Sequence, residues 1–486
     1  MIKMKHVLII GKYTLESLTN GMYASPLDMY REYIQNAVDS FDDAIAKGLV
    51  YTNKLKIEIK IDKEANTISI KDNGLGISKE KAVGTLLDIG NSKKSRGNYR
   101  GFRGIGRLAG LGYCDKLIFK TSYEGEDSAS IVEFDAKMLG DLLIPSNTDS
   151  VSVNDVIEKI VTIRTTSESI KKRYFEVILE GVSMEDGLTE ESVVKEYLRQ
   201  HAPLSFDPGF KWQRTIIEKV RIEGYSIPQY QVSLNGEDLY KPYLDTFLSD
   251  RVKKNEDRLR DINVKTFTRN GKISAILWYG QSNYFGTITD NSIKGIRIRQ
   301  GNILLGDKSS FGQFFKEQRF NGWMIGELHV VDDELIANSR RDGFENNTAF
   351  YELTELLKEW SMLESKEIRR ISYERSLSSE KKAVVKAKSF EDVNDLCSEQ
   401  LDEIDYSEYS AYEQSESEEV AEIDYIGKLS MLLNQKKVNT KYAALNINDK
   451  LTVEQRKVLE RVFDVISEEY SPKKAEEIIN KIVKGF

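Results

Sequence analysis

Apolar residues at positions 27, 30, 34, 37, 38, 41 and 45 recur at spacings of three and four, which predicts an amphipathic helix over residues 25–47. Ser25-Pro26 supplies a start signal. The runs LKIEIKID and NTISIKD then alternate polar and apolar positions on either side of Lys63-Glu64-Ala65, the pattern of an antiparallel hairpin with one buried face. A second helix is predicted at 78–88, and strands at 116–122, 129–134, 157–164 and 175–179. Between them, residues 90–106 gather Gly90, Gly97, Gly101, Gly104 and Gly106 among Lys93, Lys94, Arg96, Arg100 and Arg103. This succession predicts an α+β layered domain over residues 1–200.

His201-Ala202-Pro203 and Asp207-Pro208-Gly209 mark a break. Beyond it the strand-like runs TIIEKVRI, YQVSLNG, KISAILWYG, IKGIRIRQGNILLGD and GWMIGELHVV alternate with short helical stretches, so a second α+β domain is expected over 203–350. Helical periodicity returns as a connector over 351–388. Residues 389–427 are acidic and rich in Tyr and Ser, a composition that favours weak order or a solvated helix. Two helix starts, Thr452 with Gln455 and Ser471 with Pro472, predict a small helical module over 428–486.

Charge changes the picture once it is divided. The whole chain of 486 residues carries a formal −8, yet residues 389–427 hold fourteen Asp and Glu and no Lys or Arg, which leaves the other 447 at +6. A mildly basic body suits a phosphate ligand and falls short of the basic footprint of a dedicated nucleic-acid binder, so nucleic acid is not indicated by charge. Cys114 and Cys397 stand nearly 300 residues apart, which offers neither a metal cluster nor a disulfide framework. The opening MIKMKHVLII has four apolar residues in a row, too few for a signal-peptide core. A cytoplasmic setting without a membrane anchor is expected. His6, His201 and His329 are isolated and read as structural or surface residues.

Three short segments carry candidate chemistry. Within EYIQNAVDS, Glu32, Asn36 and Asp39 fall at i, i+4 and i+7 and share one helical face. About thirty residues on, the second hairpin strand runs into Asp72-Asn73-Gly74-Leu75-Gly76-Ile77, where two glycines permit close backbone approach after a carboxylate. Then Gly101-Phe102-Arg103-Gly104-Ile105-Gly106 forms a glycine loop opening a helix, whose free N–H groups suit phosphate.

In order, spacing and setting, these segments resemble the GHKL ATPase superfamily of gyrase B, heat shock protein 90, histidine kinases and MutL. EYIQNAVD resembles its N box, DNGLGI its adenine box and GFRGIGRLAG its second glycine box. The resemblance implies a Bergerat ATP-binding sandwich, a middle domain like ribosomal protein S5, and ATP with magnesium as ligands. It further implies that Asp72 accepts the adenine amine, with Gly74, Gly76 and Ile77 along the base. Asn36 would ligate magnesium beside Asp39, and Glu32 would activate the attacking water. Gly101, Arg103, Gly104, Ile105 and Gly106 would meet the phosphates, under a lid over 90–103 that includes Asn91, Ser92 and Lys93. Lys93, Lys94, Arg96 and Arg100 are either phosphate partners in a closed lid or ordinary loop charges.

The stretch IGELHVVDDELIANSRRDGFE resembles the heat shock protein 90 segment whose Arg reaches the γ-phosphate. Arg340 or Arg341 would take that role, and the register of the adjacent pair leaves both open, beside a surface reading in which they bridge Asp332, Asp333 or Asp342. Among GHKL proteins the chain is most similar to bacterial heat shock protein 90-like ATP-binding proteins. A histidine kinase would need an acceptor His upstream of the N box, and His6 lies too near it in a strand-like stretch. A gyrase or MutL would need a DNA-processing domain, for which the residues after 350 show no ligand cluster. The implied activity is slow, magnesium-dependent ATP hydrolysis in a homodimeric clamp acting on a protein client. The competing implication is a nucleotide-gated module of MORC type, linked to DNA or to a bacterial defence partner. Residues 1–14 read equally as an exchanging strand or as an edge of their own sheet. One departure concerns the adenine-pocket Thr: RYFEVILEG offers none, and Thr121, Thr162 and Thr165 remain alternatives.

Overall fold

The computed structural model describes residues 11–19, 23, 25–49, 55–89, 104–144, 152–183, 187–250 and 254–376. These all lie in the first of two compact units, Met1–Leu401. The expectations for 389–427 and 428–486, and for the lid over 90–103, fall outside the described residues.

The first helices are α1 (Tyr13–Thr19) and α2 (Asp28–Ala46). On α2, Tyr30, Ile34, Ala37, Val38 and Phe41 are buried against an eight-stranded sheet. Its strands are β1 (Lys56–Asp62), β2 (Thr67–Asp72), β3 (Lys116–Ser122), β4 (Ser128–Asp135), β5 (Val161–Ser167), β6 (Tyr174–Glu180), β7 (Gln231–Leu234) and β8 (Glu237–Asp238). They run in the order β5-β4-β3-β6-β2-β1-β7-β8. Neighbours pair antiparallel except β1 and β7, which are parallel. The hairpin register sets Ile59 opposite Ile70 and Ile57 opposite Asp72. Because side chains alternate, Ile68, Ile70 and Asp72 share the core-facing side of β2. A carboxylate is thereby delivered into an apolar layer.

Helices α3 (Lys79–Leu87), α4 (Ala136–Leu143), α5 (Val153–Ile160) and α6 (Glu191–His201) complete this layer. The stretch expected as one strand at 157–164 divides instead. A capping box between Ser152 and Asp155 starts α5, and β5 begins only at Val161. The glycine loop expected to open a helix leads into a 3-10 turn, Gly106–Gly112; its glycines disfavour a regular α-helix.

Past residue 200 the chain does not leave the first layer at once. TIIEKVRI, expected as a strand, lies in α7 (Gln213–Ile222), where Ile216 and Val220, one turn apart, are buried while Ile217 and Ile222 face outward. Its alternation of β-branched residues imitates a strand over eight positions. The chain then returns to add β7 and β8 to the first sheet, and Tyr230, Val232 and Leu234 join that sheet's core. The hairpin β9 (Thr246–Ser249) and β10 (Asn255–Arg258) precedes a five-stranded sheet of β11 (Asp261–Arg269), β12 (Lys272–Gln281), β13 (Gly295–Gln300), β14 (Ile303–Leu305) and β15 (Ile325–Val330). Its order is β11-β12-β15-β13-β14. The long α8 (Thr348–Ser376) packs Leu353, Leu357, Trp360 and Ile368 into one of its two cores, and α7 packs into the other. No helix among the described residues is long and apolar enough to cross a membrane.

Candidate functional site

The site is strung along α2. At its C-terminal end the Ser40 hydroxyl accepts from Leu75 N at 3.0 Å and fastens the DNGLG loop to the helix. Gly74 lies so close that a Cβ there would stand 2.4 Å from Ser40 Oγ. Asp72 Oδ1 accepts from Gly74 N at 2.8 Å. Asp72 is 4% exposed, and burial pushes its carboxyl up to about 7, against the lowering effect of the Gly74 N–H. Ile77 N donates to Thr121 Oγ1 at 2.8 Å, and that hydroxyl donates to Tyr174 O at 3.1 Å. Of the three candidate threonines, Thr121 is thus fully buried beside the loop, while Thr162 and Thr165 are exposed on edge strand β5.

Gly76 has φ +67°, and a Cβ would lie 2.0 Å from Ser122 O. A Gly76→Ala variant therefore meets both a left-handed backbone and a backbone oxygen that cannot yield. We expect it to lose roughly 3 kcal/mol or more of stability, read as a lowered urea midpoint. A midpoint equal to wild type would show that the loop is not held in this conformation.

Toward the N-terminal end of α2, Glu32 is buried. A Cβ on Gly106 would stand 2.2 Å from Glu32 Oε2, so the 3-10 turn starts against the carboxylate itself. Tyr33 fixes this turn: its hydroxyl donates to Arg107 O at 3.2 Å and accepts from Gly110 N at 2.8 Å. Gly104, at φ +67°, and half-buried Ile105 lead into it. Asn36, half-buried, lies one turn from Glu32, and Asp39 is buried. Eight residues separate Glu32 from Ser40, about 12 Å along the helix.

Of the arginine pair, it is Arg341 whose side chain meets Glu32 in this conformation. Its Nε lies 3.1 Å from Glu32 Oε1. Arg340 is exposed and offers its carbonyl to Arg31 Nη2 at 3.4 Å. Arg341 has φ +58°, a conformation that costs a non-glycine residue on the order of 1 kcal/mol. Asn338 holds the turn, donating from Nδ2 to Asp342 Oδ1 at 2.5 Å and accepting from Asp342 N at 3.3 Å. Asp332, offered as a surface partner for the pair, is bound by Arg269 at 2.9 Å.

Arg31 is buried with its Nε 3.7 Å from Glu32 Oε1 and its Nη1 3.2 Å from Asp28 Oδ1. Two guanidinium groups therefore converge on one carboxylate. Asn91, Ser92, Lys93, Gly101 and Arg103 lie outside the described residues. Sequence reasoning passed over Arg31 and Ser40, which flank the N-box residues directly, and Tyr23, whose half-buried phenol is raised by desolvation and then by Glu32. Of the two described histidines, His329 is fully buried and His201 half-buried.

Residues 29–159 match the family model described as histidine kinase-, DNA gyrase B- and HSP90-like ATPase. The chain is similar to the chaperone protein HtpG of Paraburkholderia xenovorans, 28% identical over 151 residues, which cover 27% of this chain and 24% of the relative. It is also similar to the chaperone protein HtpG of Bacillus velezensis, 26% identical over 206 residues, covering 36% and 32%. The corresponding protein of Acinetobacter baylyi is 29% identical over 129 residues, covering 23% and 20%. The chain thus spans between a fifth and a third of the length of these relatives. With the α2 face, the adenine-box loop and residues 104–110 of the second glycine box in one place, the chain carries over residues 29–159 a domain of the GHKL ATPase type, HSP90-like in kind.

Proposed function

We propose that this protein binds ATP with magnesium along α2, hydrolyses it slowly, and uses the cycle to change the hold between its two sheets. It would do so as a homodimeric, HSP90-like clamp on a protein partner. The observation that carries this reading is the 3.1 Å pair between Glu32 and Arg341, which joins the first layer to the turn after β15. Asp72 would take the adenine amine, with Thr121 and the Gly74–Gly76 backbone along the base. Gly104, Ile105 and Gly106 would offer turn N–H groups to the phosphates.

Asn36 fits a magnesium ligand by its donor type. Among the described residues no three His, Cys, Asp or Glu cluster as a metal site, which suits an ion held by phosphate and water oxygens plus one neutral amide oxygen. Such an ion would supply charge neutralisation across the phosphates. Glu32 would accept the proton of the attacking water. To do so it must be released from Arg341, and a γ-phosphate, carrying more negative charge than one carboxylate, competes for that guanidinium. Arg341 then stabilises the charge that develops during transfer. Because the two halves of the site belong to different layers, turnover is paced by their movement.

Steady-state ATPase assays on single variants test this assignment. Arg341→Ala is expected to lower kcat about 100-fold, while Arg340→Ala, which keeps the carbonyl that Arg31 uses, stays within twofold of wild type. Equal losses in both variants, or none in Arg341→Ala, would refute it.

A further inference from the structure

We propose that Tyr197 on α6 is a positioning residue for hydrolysis: through Asp28 and Arg31 it holds the Arg340–Arg341 turn against Glu32. The inference rests on the ATPase reading above. The Tyr197 hydroxyl donates to Asp28 Oδ1 at 2.9 Å. The same oxygen receives Arg31 Nη1 at 3.2 Å. Arg31 extends from there to Glu32, 3.7 Å away, and to the Arg340 carbonyl at 3.4 Å. A single phenol is therefore three contacts from the Glu32–Arg341 pair, and each step is a hydrogen bond or ion pair between groups with little water around them.

Tyr197 is held within its own helix, and that helix is fastened in turn to the second sheet. The His201 ring stacks on it with centroids 3.8 Å apart and planes 8° from parallel. His201 Nδ1 lies 2.9 Å from Tyr197 O, and desolvation pushes the imidazole down to about 3, so it stacks as a neutral ring near neutral pH. One residue earlier, Gln200 accepts from Arg297 Nε at 3.0 Å and donates to Ser292 O at 2.7 Å. Arg199 Nε donates to Tyr240 O at 3.1 Å. Helix α6 is thus fastened to β13 and the loop before it while its tyrosine reaches the start of α2. A shift of the second sheet against α2 would pull on α6 through Gln200, and so on the Tyr197–Asp28 bond that holds Arg31. The adenine end of the site, eight residues further along α2, has no part in this chain.

The test is Tyr197→Phe, which keeps the ring stack and removes only the hydroxyl, with Asp28→Asn and the double variant beside wild type. The loss of one hydrogen bond to a charged group converts to about tenfold in rate. We expect kcat for ATP to fall about tenfold in Tyr197→Phe, with KM and the calorimetric Kd for Mg-ATP within twofold of wild type. The double variant should be no slower than Asp28→Asn alone, since both changes cut one chain. An unchanged kcat, a KM that moves with kcat, or losses that multiply in the double variant would each overturn the relay. A wild type that binds and hydrolyses ATP beside an unimpaired Tyr197→Phe sinks the relay alone, whereas a wild type that does neither sinks the ATPase reading with it.

Discussion

Replacing Glu32 by Ala should leave a protein that still binds Mg-ATP and hydrolyses it at least about 100-fold more slowly than wild type. The carboxylate sits against Gly106 and between Arg31 and Arg341, at the opposite end of α2 from the loop assigned to the base. Its removal takes away the proton acceptor without touching Asp72, Ser40 or Thr121. Binding should be equal or tighter, because Arg341 then has no carboxylate to leave before it meets a phosphate. Glu32→Gln, of the same shape, should lose turnover to a similar degree, which separates proton transfer from packing. Single-turnover hydrolysis with calorimetric binding on the same preparations checks both halves. A Glu32→Ala variant with near wild-type turnover would remove the residue from the chemistry.

The second large effect is at Asp72. Burial raises its folded-state pKa to about 7, from the ordinary carboxylate value of 3.8, so folding takes up a proton between those limits. Stability supplied by the protonated form is fully present below about pH 4 and is lost as pH rises toward 7. Asp72→Asn keeps an oxygen for Gly74 N and removes that dependence. At pH 8 the unliganded variant should be more stable than wild type, by on the order of 4 kcal/mol. The same substitution should cost at least 100-fold in ATP affinity, because an amide that keeps its oxygen on Gly74 N turns donors toward the adenine amine. Wild-type affinity should also rise with pH up to about 7, as the acceptor ionises. Urea titrations at pH 5 and 8, with and without nucleotide, read both effects. A destabilised Asp72→Asn that still binds ATP would contradict the assignment.

The parts of the site most legible in the sequence are those fixed by local periodicity. On α2 the apolar stripe of Tyr30, Ile34, Val38 and Phe41 sets the helix against the sheet, which necessarily turns Glu32 and Asn36 to another side. On β2 the alternation Ile68, Ile70, Asp72 forces the carboxylate into the core layer. What escaped local reading depends on partners distant in the chain. Nothing near Gln231 announces that its strand pairs with β1, some 170 residues away. Arg341 could be told from Arg340 only once its left-handed backbone aimed the side chain at Glu32. Thr121 is set apart from Thr162 and Thr165 as the threonine beside the DNGLG loop only by the bond from Ile77 N to its hydroxyl. Nothing in the sequence singles out Tyr197, whose hydroxyl meets Asp28 only because the fold brings α6 to the start of α2. The misread α7 has the reverse cause, since eight residues of mixed β-branched and charged character satisfy two periods at once.

The proposed nucleotide site along α2 is tested most directly by calorimetric titration of Mg-ATP into the wild-type chain and into Asp72→Asn under one buffer at pH 8. Saturable binding of one nucleotide per chain by the wild type, with affinity lost in the variant, is the expected result. No heat from the wild type, or the same isotherm from both proteins, would contradict a nucleotide seated between the DNGLG loop and Glu32.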